Sequence, residues 1–98
     1  MKKELEYIIS GKVRGVMFRD SVRRLAKKLG LTGTVENLES GEVRVVAQGE
    51  ETNLAELLLY LKSGPPLANV EEVKVTRCEP SEKFTDFTII FRNFWDRF

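Results

Sequence analysis

The distribution of apolar residues predicts an α+β domain in which one sheet carries two helices on a single face. Three observations support this. Period-two alternation marks extended segments near residues 5–10, 33–49, 70–75 and 84–91, and two stripes of helical period interrupt them, near residues 18–29 and 54–61. The resulting order is βαββαβ with one further strand, and amphipathic helices separated by strands must bury their stripes against a shared sheet face. At 98 residues the chain forms one domain, expected to span 1–98 with 92–98 as a C-terminal extension.

The first strand is read from Leu5, Tyr7 and Ile9, which alternate with more polar neighbours up to Ser10. From Phe18 the period lengthens. Phe18, Val22, Leu25, Ala26 and Leu29 fall on one helical face and Arg23, Arg24, Lys27 and Lys28 on the other, a solvated one, with Gly30 as the stop. Residues 33–49 form a hairpin turning at Ser40-Gly41, with Asn37 near the end of its first strand. Glu50 and Glu51 suit a helix N-terminus, Thr52 is the candidate cap, and Leu54, Leu57, Leu58 and Leu61 make the second stripe. Gly64-Pro65-Pro66 ends it. Val70, Val73 and Val75 predict another strand, and after a break around Pro80 a last extended segment holds Phe84, Phe87, Ile89 and Phe91. The simplest fold for this order is the ferredoxin-like sandwich, one antiparallel sheet with an extra C-terminal strand.

Composition narrows the chemistry. With 16 basic and 15 acidic residues the net charge is +1, so no global field draws nucleic acid or anionic lipid, and any anion site must be local. Histidine is absent, which removes the commonest general base and the commonest metal ligand. The apolar runs are too short to span a bilayer and no export signal is evident, so a cytoplasmic location is expected. A single cysteine, Cys78, fits a reducing compartment and is read as a strand residue rather than a nucleophile.

The most informative stretch is Gly11-Lys12-Val13-Arg14-Gly15-Val16-Met17-Phe18-Arg19, a glycine-punctuated loop from strand to helix. Gly15 can adopt positive φ, which turns successive backbone N–H groups inward, and the helix that follows adds the positive end of its dipole. Arg19 supplies a fork-shaped cation able to grip two phosphate oxygens. Phe18 anchors the loop in the core. Further on, Gly33-Thr34-Val35-Glu36-Asn37 leads through Gly41 to Val43. Together, Gly11-x-Val13-x-Gly15-Val16-x-Phe18-Arg19 and Gly33-x-Val35-x-Asn37-x-x-x-Gly41-x-Val43 resemble the acylphosphatase family, from about Leu5 to Phe91.

The resemblance implies metal-independent hydrolysis of acyl phosphates to carboxylate and inorganic phosphate, with no cofactor, on the ferredoxin-like fold. It implies that Arg19 binds the phosphate and stabilises the transferring group, that Asn37 orients the attacking water, and that the backbone of Arg14, Gly15, Val16, Met17 and Phe18 forms the cradle. The expected partners are a small acyl phosphate and phosphate, with no nucleic acid and no membrane. Arg14 departs from the glutamine common in the family. Glu36, Glu39 and Glu42 raise a metal site, but alternation turns Glu36 away from the face of Asn37. The tail Arg92-Asn93-Phe94-Trp95-Asp96-Arg97-Phe98 holds three aromatics, which suggest docking on the domain of a monomer or on a second subunit. An empty cradle is expected to hold mutually repulsive positive charge, so that Arg19→Ala would not lose stability. Two alternatives stay open: a non-catalytic phosphate-binding module, and an RNA-binding module, which needs aromatics on central strands that the segment 42–48 lacks.

Overall fold

The structure, a computed structural model, describes residues 2–15, 17–79 and 83–97. Its elements are β1 (Lys3–Lys12), α1 (Phe18–Lys28), β2 (Thr32–Asn37), β3 (Val43–Gly49), α2 (Glu51–Ser63), β4 (Asn69–Cys78), β5 (Phe87–Ile90) and a short 3-10 helix, Phe94–Arg97. The order of strands across the sheet is β4-β1-β3-β2-β5. The first four pair antiparallel, the ferredoxin-like arrangement, and β5 is added beside β2 in parallel. The sheet is therefore mixed.

Alternation decides which residues go inside. Tyr7, Ile9, Val35, Val43, Val45 and Ala47 point to the helical side and are fully buried. They meet Phe18, Val22 and Ala26 of α1 and Leu54, Leu57 and Leu61 of α2 in one core. Each of the buried Val, Leu, Ile and Phe side chains contributes about 1.5–3 kcal/mol of burial. The Tyr7 hydroxyl crosses this layer and donates to the Leu54 carbonyl at 2.8 Å. Burial pushes its pKa up to about 12. Gly33 is needed where β2 pairs with β3: at φ 148°, a Cβ there would lie 1.8 Å from the Val46 carbonyl oxygen.

Helix α1 stops as its sequence foretells. The Leu31 amide donates to the Ala26 carbonyl at 2.9 Å and the Gly30 amide to Lys27 at 3.0 Å, a Schellman closure with Gly30 at φ 73°. Two local expectations change. Helix α2 begins after Glu50, with Thr52 already inside it, because the extended Glu50 backbone takes the cap position. The last strand is shorter than its alternation suggests: Phe84 and Phe91 fall outside it, since only the segment Gly33–Glu36 of β2 pairs with β5. The break expected at Pro80 lies outside the described residues.

The strand directions place the site. Since β3 runs antiparallel to both β1 and β2, these two are parallel, and β5 shares their direction. The loop after β1, Asn37 at the end of β2 and the tail after β5 therefore meet at one end of the sheet.

Candidate active site

The loop after β1 has the backbone its glycine pattern implies. Gly15 lies at φ 67°, and Met17, the residue before α1, adopts φ 61° although it carries a side chain. A non-glycine residue in that region costs about 1–3 kcal/mol and is held there by its surroundings. Phe18 supplies them: it is 2% exposed, packed in the core, and pins the first turn. No side chain caps this helix, and its first internal bond runs from the Ser21 amide to the Met17 carbonyl at 3.1 Å. The amides of Phe18, Arg19 and Asp20 therefore have no acceptor within the helix, and the positive end of its dipole faces the loop. Val16 lies outside the described residues; Arg14 is exposed and lines the mouth of the site.

Arg19 and Asn37, far apart in sequence, are brought together. Alternation from the core residue Val35 turns Asn37 to the helical side, where it is 6% exposed. The Arg19 guanidinium lies over the Phe91 ring at 5.1 Å, a cation–π contact that fixes its plane. Both residues reach Asp96, which sequence reasoning did not single out. Arg19 Nη2 donates to the Asp96 main-chain carbonyl at 2.5 Å, and Nη1 stands 3.2 Å from Asp96 Oδ1. Asn37 Nδ2 donates to the same Oδ1 at 3.3 Å, and the Arg92 amide to Oδ2 at 2.9 Å. The Asp96 amide closes the turn on Asn93 Oδ1 at 3.0 Å.

Burial favours the neutral form of Asp96, but the Arg92 amide, the Arg19 charge and the Asn37 amide outweigh it and hold its pKa below the ordinary carboxylate value. The cradle is thus met by an internal countercharge, which overturns the expectation of unrelieved positive charge. The tail meets the domain through an aspartate, where docking through its aromatics was expected: Asp96 lies in the site, and Trp95 is 76% exposed. The side chains of Phe94 and Phe98 lie outside what is described.

Among the described residues, the buried side-chain nitrogen and oxygen atoms without a hydrogen-bond partner are Arg19 Nη1 and Asn37 Oδ1. The first is near Asp96 but misaligned with it. The second is left over because the amide must turn its NH2 to a carboxylate. A cavity of about 290 Å³ lined by Gly15, Met17, Phe18, Arg19 and Asn37 adjoins one of about 440 Å³ lined by Arg14, Gly15, Asn37, Trp95 and Asp96.

Other candidates fall elsewhere. Glu36 turns to the opposite sheet face and accepts from Arg44, which also pairs with Glu6 at 2.6 Å. Glu42 bonds Ser40, and Glu39 faces Arg92. Arg23 and Arg24 pair with Asp20, and Lys27 with Asp86. Cys78 lies opposite Glu4 at the far end of β1, roughly 25 Å from the loop at about 3.3 Å per residue. Burial pushes its thiol pKa up, the reverse of an activated nucleophile.

A ferredoxin-like sheet with a glycine loop, a half-buried arginine and a buried asparagine at one end defines a small anion-handling domain. The acylphosphatase family profile matches residues 5–89, and the chain belongs to that family. It is 46% identical over 86 residues to an acylphosphatase of Dehalococcoides mccartyi, covering 87% of this chain and 94% of that one. Among solved structures, an acylphosphatase from Coxiella burnetii superposes with a TM-score of 0.86 at 40% identity, covering 91% of this chain and 93% of the other. That from Bacillus subtilis gives 0.87 at 33% identity, covering 93% and 100%. The chain is accordingly a hydrolase of acyl phosphates.

Proposed function

We propose that hydrolysis proceeds without a metal at the loop, with Arg19 binding the phosphoryl group and Asn37 aligning the water. The observation that carries this reading is the pair of unpartnered buried atoms: a guanidinium N–H suited to a phosphate oxygen, and an amide oxygen suited to accept from water. The leaving carboxylate has a conjugate acid of pKa about 4, so it departs as an anion without a general acid. A loose phosphoryl transition state asks for position and charge stabilisation, which a guanidinium and first-turn amides supply. In the step, the water oxygen bonds to phosphorus as the acyl oxygen–phosphorus bond breaks. The water proton passes to a phosphate oxygen of the substrate, since an asparagine amide has no useful basicity.

The same reading makes the partner a small anion and the protein a cytoplasmic monomer. In support, the sheet face away from the helices carries the Glu6–Arg44–Glu36 network, and Cys78 remains a free thiol. No helix among the described residues is long and apolar enough to cross a membrane.

Benzoyl phosphate hydrolysis in excess chelator tests the scheme. Turnover should equal that in untreated buffer; loss in chelator with recovery on added magnesium would overturn it. Phosphate binding without any turnover would assign a non-catalytic module instead.

A further inference from the structure

The docked tail fills the place that an anion would take. The end of the Arg19 fork is engaged by one residue, through the Asp96 carbonyl on Nη2 and the carboxylate beside Nη1. The same carboxylate oxygen takes the Asn37 NH2. We infer that Asp96 is an internal competitor, an anion carried on the chain's own C-terminal turn that holds the catalytic site closed until phosphate or an acyl phosphate displaces it. This rests on the phosphate-site reading of Arg19 and Asn37.

Three observations point to displacement rather than permanent support. Asp96 is an imperfect occupant. With both its oxygens engaged, it still leaves Arg19 Nη1 without an aligned acceptor and Asn37 Oδ1 without a donor. A tetrahedral phosphate offers three oxygens to the fork and brings a water to the amide, so it satisfies what the planar carboxylate does not. The tail is also short: its ordered element is a four-residue 3-10 helix, on which Trp95 is 76% exposed. Finally, the tail follows β5 directly, and β5 runs toward the site. Tethering then gives Asp96 a high effective concentration, and a weakly fitting group still occupies the site until a better ligand is present.

An occupied site lowers apparent affinity by the fraction of chains in which it is open. Loss of the carboxylate should therefore tighten binding of inorganic phosphate by about tenfold and lower KM for benzoyl phosphate to match, with kcat unchanged. Phosphate titrations of wild type, Asp96→Ala and Asp96→Asn measure this. The asparagine variant keeps the shape and removes the charge, so a folding defect in one variant does not decide the outcome.

Hydrogen exchange on the wild-type chain is the independent readout. Phosphate should speed exchange at the Arg92 amide, whose acceptor is the Asp96 carboxylate that leaves the site, while the β1, β2 and β3 amides slow. Weaker phosphate binding in both variants, or slower exchange at Arg92 on adding phosphate, would make Asp96 a support for Arg19 and overturn the inference. If wild type still hydrolyses benzoyl phosphate in that case, the site reading stands without it. If no form binds phosphate or turns over, both fall together.

Discussion

Arg19→Ala removes an ion pair, a hydrogen bond and a ring contact at once, and the structure fixes the size and sign of the result. Arg19 and Asp96 side chains are 13% and 3% exposed, so their pairing is shielded from water more than a surface bridge. Stranding a buried charge costs about 3–5 kcal/mol when it cannot escape. Here it can escape, because the short terminal turn can carry Asp96 into solvent. The cost is then capped near the value of a charged hydrogen bond and a half-shielded ion pair, and relief of repulsion between guanidinium and loop amides offsets part of it. We expect a net loss of about 1–2 kcal/mol in phosphate-free buffer, a fall of about 1 M in the urea midpoint. The assay is a double-mutant cycle with Asp96→Ala, read by urea unfolding. The coupling should be about 1–2 kcal/mol at neutral pH. Because the folded carboxylate pKa is depressed, its contribution is fully present above the ordinary unfolded value and disappears as pH falls through the folded one. Coupling should therefore vanish in strong acid. An Arg19→Ala protein as stable as wild type, or additive with Asp96→Ala, would refute the pairing.

Asn37→Ala should lower kcat by about 100- to 1000-fold, the range for losing one aligned transition-state group. Phosphate affinity should not weaken, because the fork and amides remain; steady-state kinetics with phosphate as competitive inhibitor separates the two effects. Tyr7 predicts an alkaline limit. Its hydroxyl titrates near 12 when folded against 10.0 for an unperturbed tyrosine, so the native state binds the extra proton between those values. Stability should fall by about 2–3 kcal/mol across that window relative to Tyr7→Phe, whose urea midpoint lacks this slope. Gly33→Ala drives a Cβ to 1.8 Å from the Val46 carbonyl and should cost more than about 2 kcal/mol in the same unfolding assay, with a smaller loss leaving the β2–β3 pairing looser than described.

Local chemistry made much of this protein legible. The change from period two to period 3.6 at Phe18 marks where α1 begins, because a buried stripe must follow the pitch of its element. Gly15 at positive φ, the stop at Gly30, the inward turn of Asn37 and the outward turn of Glu36 follow from short-range sterics and alternation. Arg19, in the first turn of α1, and Asn37, at the end of β2, were accessible only through the resemblance of their two motifs to the acylphosphatase family.

Tertiary structure decided what those residues face. Nothing local states whether the last strand adds parallel or antiparallel, since its alternation is the same either way. Parallel addition beside β2 sends the chain out at the end where the β1 loop and Asn37 already lie. The acidic residue between aromatics gave at most a weak sign of this. An aspartate near a C-terminus has no periodicity that names its partner, and the contact from Asp96 back to Arg19 joins segments that only sheet topology brings together. The sequence by itself determined which groups could bind an anion; the direction of β5 determined that the chain supplies one of its own, because a charge finds its countercharge through space and not along the backbone.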